Sequence, residues 1–356
     1  MATKYEVCTK IRINQKFMKK FLYVYVILAG VLILFFWFLG NFVFSNYSSS
    51  DRGVYPHTNG IGVGVYFEVE KDQSVKQIAQ NLFDEGIINS KSSFLFYSYL
   101  SGNFSSLKPG LYPLSKSTGV SDVVRALISG PKEIKVVIYP GMTLKEIEDK
   151  LFDSKVIKEK DLGRISLNEL TKEYPFLSDA KTLEGFLMPD TYDFHSFSDS
   201  KDVVKVFLDN FEKKTKNVLT GKDILKIVTK ASLIEKEVVF KEDKKIVSGI
   251  IDKRLSLGMA IQIDASLIYG ICQGRFLDCS KLASSDFKDD FEYNTYTRQG
   301  LPPTPISNPS LESIEASVSP SPTNYLYYLS DSKTKKTIFS VTLEEHNNNR
   351  WKYLGL

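Results

Sequence analysis

The sequence predicts an α+β protein in three parts: a single N-terminal transmembrane helix, a small α+β module and a larger α+β domain. Three observations carry this prediction. An uncharged apolar run, "FLYVYVILAGVLILFFWFLGNFVF", fills residues 21–44. A strand, turn and helix pattern occurs at 67–88 and again at 136–157. Beyond about residue 183, an amphipathic helix alternates with extended and proline-punctuated segments.

As a helix rising about 1.5 Å per residue, the run at 21–44 is long enough to cross a hydrocarbon core of about 30 Å. Lys4, Lys10, Arg12, Lys16, Lys19 and Lys20 precede it against a single Glu6. The positive-inside rule therefore places the basic tail, 1–20, in the cytoplasm and everything after the span outside the cytoplasmic membrane. A cleaved signal peptide is the rival. Its apolar region would be about 7 to 15 residues and would end in small residues, whereas this run closes on Phe42, Val43 and Phe44. The net charge of +4 is fully accounted for by the tail, so the exterior part is close to neutral and shows no strong field for nucleic acid. Of three cysteines, Cys272 and Cys279 lie outside, at a spacing that matches no zinc or redox signature.

Residues 45–64, rich in Ser, Gly and Asn, read as a flexible tether. The glycines of "NGIGVG" precede a strand and make no dinucleotide fingerprint. The folded part begins near Val65. "FEVEKDQSVKQIAQNLFDEGII" and "VVIYPGMTLKEIEDKLFDSKVI" align at one offset, matching Ile78 with Ile147, Leu82 with Leu151, Phe83 with Phe152 and Ile88 with Ile157. Ser74 and Thr143 stand where N-caps belong. "LKPGLYPL" (107–114) is extended, and a helix from Ser121 to Ile128 stops at Gly130 and Pro131. The boundaries drawn are a module at 65–131 and a domain at 132–350.

Around "TKASLIEKEVVFKED" (229–243), Ile224, Ile227, Val228, Ala231, Ile234, Val238 and Val239 share one helical face. Glu235 falls inside that stripe and Glu237 on its flank. A carboxylate held half-dry at such a boundary has its pKa raised toward acid–base use, so either is a candidate, with Glu235 the more buried by this count. Against both stands the ordinary fate of helix charges, a solvated face. Gln262 and Asp264 alternate along an extended segment and can face one cleft, while Asp264 can equally cap the helix "ASLIYG". Tyr293, Asn294 and Tyr296 offer flat faces and an amide suited to N-acetyl sugars, although aromatics are more often core. Glu184 and Asp190 belong to "EGFLMPDTY", where Asp190 can also hold the turn after Pro189. "GLPPTPISNP" (300–309) is a rigid loop with Asn308 as its polar handle. With no HExxH, CxxC or G-x-S-x-G, neither a metal site nor a serine nucleophile is expected, and no cofactor is implied.

The order of "LEGFLMPDTYDF", "ASLIEKE", "GMAIQIDASLIYGI", "YNTYTRQGLPPTPISNPSLESIEASVSP", "YLYYLSD" and "EEHN" resembles the YceG-like, or MltG, family of endolytic murein transglycosylases over nearly the whole chain. The module at 65–131 resembles a LysM-like wall-binding unit. The resemblance implies an α+β catalytic domain acting on peptidoglycan glycan strands. It would cleave the N-acetylmuramic acid to N-acetylglucosamine bond of nascent strands to leave 1,6-anhydro ends, which limits strand length. It implies Glu237 as the catalytic acid, with Glu235 as a supporting or, reversed, the acting group, and Gln262 and Asp264 as site-lining positions. The chain departs from the family at Thr304, a position often glycine, and in "DSKTKKTIFS", which lacks the glycines and histidine common there. The alternative from another class is an inactive wall-binding scaffold that recruits peptidoglycan synthases.

Overall fold

A computed structural model of the chain describes residues 22–34, 65–102, 107–116, 118–276, 279 and 282–355. Residues 22–34 form helix α1, inside the predicted span. The rest of that span, the basic tail and the tether lie outside the described residues. Among the described residues no helix is long and apolar enough to cross a membrane. The chain divides into two units, one ending at Pro131 and one beginning at Lys132.

In the first unit, β1 (Val65–Val69) runs antiparallel to β2 (Gly110–Leu114), with α2 (Val75–Asp84), α3 (Lys91–Leu100) and α4 (Val120–Ser129) packed on the ribbon. Phe67, Ile78, Leu82, Phe94, Tyr112 and Leu127 form a dry core. A two-stranded ribbon is marginal in water, so this apolar cover is what makes it stable. Ser74 caps α2 in a capping box, its hydroxyl accepting from the Gln77 N–H at 3.3 Å while the Gln77 side chain accepts from the Ser74 N–H at 3.1 Å.

The second unit opens by repeating the first. Here β3 (Glu133–Val137) runs antiparallel to β4 (Thr191–His195), with α5 (Leu144–Asp153) and α7 (Ser200–Leu219) against them. Thr143 and Glu146 rebuild the capping box. The likeness reaches well past the two aligned segments. Left-handed backbone recurs at Asp72 (φ 65°) and Gly141 (φ 82°), then at Gly86 (φ 68°) and Lys155 (φ 60°). Lys91 lies 5.2 Å from the centre of the Phe83 ring, and Lys160 lies 5.1 Å from that of Phe152. The second strands match as "LKPGLY" and "LMPDTY", and in each the tyrosine hydroxyl donates to the carbonyl four residues back, Tyr112 to Lys108 and Tyr192 to Met188. The closing helices match as "SDVVRALI" and "KDVVKVFL". In the second copy, α6 (Leu167–Leu170) and two short 3-10 turns stand where the first has α3.

The chain then forms α8 (Ile224–Glu237), α9 (Lys241–Ser256), α10 (Asp264–Ile271), α11 (Leu311–Val318), the antiparallel pair β5 (Tyr327–Ser330) and β6 (Thr337–Ser340), and α12 (Leu343–Leu354). Leu233, Ile234, Val238, Val247, Ile251, Ile261, Ile263 and Ile306 make a core of their own. The stripe read along α8 holds with one correction. Val239 is 78% exposed, because the helix stops at Glu237 and Val238 is extended. Moreover, Thr229, Lys230 and Ser232 are buried too, so α8 is enclosed on more than one face. Cys272 and Cys279 are joined, with Cα atoms 5.6 Å apart.

Candidate active site

The last turn of α8 delivers its two glutamates into different surroundings. Glu235 lies at the start of α11, where one carboxylate oxygen accepts from the Ser310 N–H at 2.8 Å and the Ser313 hydroxyl at 2.6 Å. Lys244 of α9 reaches both oxygens at 3.2 and 3.3 Å. Burial pushes the Glu235 pKa up, but the Ser310 and Ser313 hydroxyls, the Lys244 charge and the Ser310 N–H together outweigh it, so the net shift is down. Glu235 is thus a tied anion at a helix N-terminus. Glu237 has no such set. Burial pushes its pKa up to about 7, Asp264 adds to the rise, and the Tyr328 hydroxyl opposes it. The helical stripe ranked Glu235 as the better candidate acid. The structure reverses that ranking, because burial favours protonation only where donors do not compensate.

Asp264 opens α10 but does not cap it. Ile263 is the N-cap, with no side-chain bond, and the Asp264 carboxylate instead accepts from the Tyr296 hydroxyl. Gln262 and Asp264 are both exposed and alternate with buried Ile261 and Ile263, so they do share one side of the segment. Gln262 holds left-handed backbone (φ 54°), and its N–H donates to the Thr295 carbonyl at 3.0 Å. A non-glycine residue held there is strained, a feature that clusters at functional sites. Buried Arg254 of α9 secures both neighbours. Its Nε donates to Leu326 O at 2.7 Å, ahead of Tyr328, and Nη1 donates to Ile261 O at 2.7 Å, ahead of Gln262.

A second cluster surrounds Glu184. Its carboxyl accepts from the Leu144 N–H at 2.9 Å, the Asn308 amide at 3.0 Å and the Tyr269 hydroxyl at 3.1 Å. Burial nevertheless pushes its pKa up to about 8. Asn308 is fully buried, with its oxygen accepting from Gly185 N–H (3.0 Å) and Leu187 N–H (2.9 Å) and its amide donating to Met142 O (2.9 Å) and Glu184. It therefore staples the proline loop to the strand-helix turn of the second copy and has no polar atom left for a ligand. Asn294 is corrected in the same way. Its amide donates to Asp286 and Asp289 carbonyls and its oxygen accepts from Tyr296 N–H, so it builds its own loop. Tyr293 lies tilted against Tyr269, ring centres 5.1 Å apart, and exchanges a hydrogen bond with Thr304 at 2.7 Å. Asp190 is gathered with neither cluster. Lys214, the Thr191 N–H and Asn210 hold its pKa down to about 2, which fits the turn-holding role.

Sequence reasoning passed over Tyr328, Arg254 and Lys236. Lys236 donates to Gly141 O at 3.1 Å and lies 3.5 Å from the Phe276 ring centre. The only signal for Tyr328 was the aromatic run "YLYYL". Gly185 carries a steric prediction. With φ 91°, any added Cβ would stand 2.6 Å from Pro305 and 2.8 Å from Val228. Gly185→Ala is expected to cost roughly 1–3 kcal/mol, read as a lower denaturant midpoint at unchanged m.

Residues 67–352 match the YceG-like family. An endolytic murein transglycosylase of Bacillus subtilis strain 168 is 29% identical over 314 residues, covering 82% of this chain and 85% of that protein. An endolytic murein transglycosylase of Streptococcus pneumoniae D39 is 28% identical over 319 residues, 79% of this chain and 57% of that longer protein. The crystal structure of a YceG-like protein from Listeria monocytogenes superposes with a TM-score of 0.53 at 29% identity, covering 81% of this chain and 99% of that one.

Proposed function

The chain belongs to the YceG-like family, and from that premise we propose that it is a membrane-anchored lytic transglycosylase that cuts peptidoglycan glycan strands internally, with Glu237 as its acid and base. The observation that carries the reading is the environment of Glu237. A carboxyl whose pKa lies at about 7 is populated in both protonation states near neutral pH. In the acid form it protonates the glycosidic oxygen leaving N-acetylmuramic acid. As carboxylate it then takes the proton of the muramyl C6 hydroxyl, whose oxygen closes on C1 to form the 1,6-anhydro ring. One group serves both steps and water is not consumed, whereas a glycosidase needs a second carboxyl to act as nucleophile or to activate water.

Asp264 supplies negative charge beside the developing oxocarbenium ion, and Gln262, exposed on the same side, and Tyr296 contact the sugar. Glu235, Glu184 and Asn308 hold the frame. The apolar run 21–44 and its basic flank support a single-pass anchor with the catalytic part outside, and the first unit supports a LysM-like wall-binding role. Incubating the exterior part with intact sacculi and analysing soluble muropeptides by mass spectrometry tests the reaction. Anhydro-muramyl ends are expected. Reducing ends would mean hydrolysis, and no release would mean a binding scaffold.

A further inference from the structure

We propose that Tyr296 is a positioning residue that acts through Asp264: its hydroxyl donates to carboxylate oxygen Oδ1 and so aims the other oxygen, Oδ2, at the glycan. The kinetic consequence rests on the transglycosylase reading, whereas the contact does not. Asp264 is exposed at the first position of α10, and its Oδ2 accepts no hydrogen bond among the described residues. A carboxylate so placed turns about its side-chain bonds unless something holds it. To stabilise a developing positive charge its oxygen must be aimed beforehand, because turning it during the reaction costs energy. The helix that bears it packs against α8, which ends in Glu237, and Ile261 and Ile263 share a core with Val238. Asp264 is therefore carried on a segment fastened beside that glutamate.

The run 293–296 is joined to 262–266 bond by bond. Ser266 Oγ donates to Tyr293 O at 2.8 Å, the Gln262 N–H donates to Thr295 O at 3.0 Å, and the Ile263 N–H donates to the buried Thr295 hydroxyl at 2.9 Å. These bonds fix the left-handed turn at Gln262 and the start of α10. Tyr296 is held from its own side. Its N–H donates to Asn294 Oδ1 at 2.9 Å, and its ring meets the Phe287 ring edge-on, centres 4.9 Å apart. Backbone bonds thus locate both the carboxylate and its donor, and the hydroxyl is the last link between them. Burial, then the Asp264 carboxylate, holds the Tyr296 pKa above the usual tyrosine range, so the hydroxyl remains a donor at neutral pH.

A double-mutant cycle on the release of anhydro-ended muropeptides tests this. Tyr296→Phe, which removes a single oxygen, should lower kcat roughly 10- to 100-fold, the size expected for a charge-assisted hydrogen bond, with KM nearly unchanged. In an Asp264→Asn background the same substitution should change kcat less than about twofold, because the group it held no longer carries the charge. An equal loss in both backgrounds, or a raised KM with kcat intact, would mean that Tyr296 meets the sugar itself and would overturn the proposal. Wild-type kcat in Tyr296→Phe would overturn it too. If Tyr296→Phe does not fold, Phe287→Leu, which withdraws the ring against which Tyr296 rests, takes its place in the cycle with the same outcomes. The contact is read separately in protein labelled with carboxyl-13C aspartate. The Asp264 resonance, assigned by its loss in Asp264→Asn, should shift at pH 7 in the same variant, and an unmoved resonance overturns the proposal. A shifted resonance in a protein that releases no anhydro ends would uphold the contact and defeat the transglycosylase reading instead.

Discussion

Glu237→Gln is expected to reduce release of anhydro-ended muropeptides by at least the roughly 10²- to 10⁴-fold of general acid–base catalysis, while binding to sacculi survives. The amide keeps the shape and a hydrogen-bonding head, but it cannot pass a proton. The same variant carries a stability signature that an ordinary surface glutamate would lack. Burial first, then Asp264, raises the folded pKa from 4.5 to about 7. Between those values the folded state binds more protons than the unfolded one, so this group's contribution is present below about pH 4.5 and is lost as pH rises toward 7. Glu237→Gln removes that loss. Its melting temperature should therefore exceed wild type at pH 8 and converge with it at pH 4. A variant that is both active and no more stable at pH 8 would place the acid elsewhere.

Lys244→Met should destabilise the protein by about 3–5 kcal/mol at neutral pH, because it strands the Glu235 carboxylate, 10% exposed, without its cation. Replacing both partners, as Lys244→Met with Glu235→Gln, should recover much of that. The pH dependence here has the opposite sign. Glu235 titrates below its ordinary value of 4.5 in the folded protein, so its contribution is present above about pH 4.5 and is lost as pH falls through the folded value. The gap between wild type and Glu235→Gln, followed by denaturant midpoint, should close on acidification. A gap that persists unchanged at pH 3 would show that the carboxylate is not held as an anion.

How much of this was legible in the sequence depended on the range of the interaction. Helix α8, the caps Ser74 and Thr143, and the strand-helix repeat come from periodicity and neighbours a few residues apart, and they stand where the pattern put them. The fates of Glu235 and Glu237 were decided by Lys244, Ser310, Ser313, Asp264 and Tyr328, residues distant along the chain that no helical projection contains. Asn294 and Asn308 have the composition of ligand contacts, yet backbone groups within the fold consume their amides. The full extent of the repeat escaped because its second half is six aligned positions, three of them identical, and a helix, at a spacing changed by the segment containing α6.

That doubling poses a problem of pairing fidelity. Two similar modules in tandem on one chain invite each first strand to recruit the other's second strand, the usual failure of repeated domains during folding. The side chains guard against it. Beside the tyrosines that both copies keep on the trailing strand, Tyr112 and Tyr192, the further buried ring of the first copy is on the leading strand, Phe67, on the same side as Leu114; in the second it is on the trailing strand, Phe194, on the same side as Val136. An exchanged ribbon would crowd Phe67 with Phe194, at about 1–3 kcal/mol for overpacking, and leave Val136 with Leu114 over a void. Volume, divided differently between the strands of each copy, serves as an address label that directs each newly made strand to its own partner.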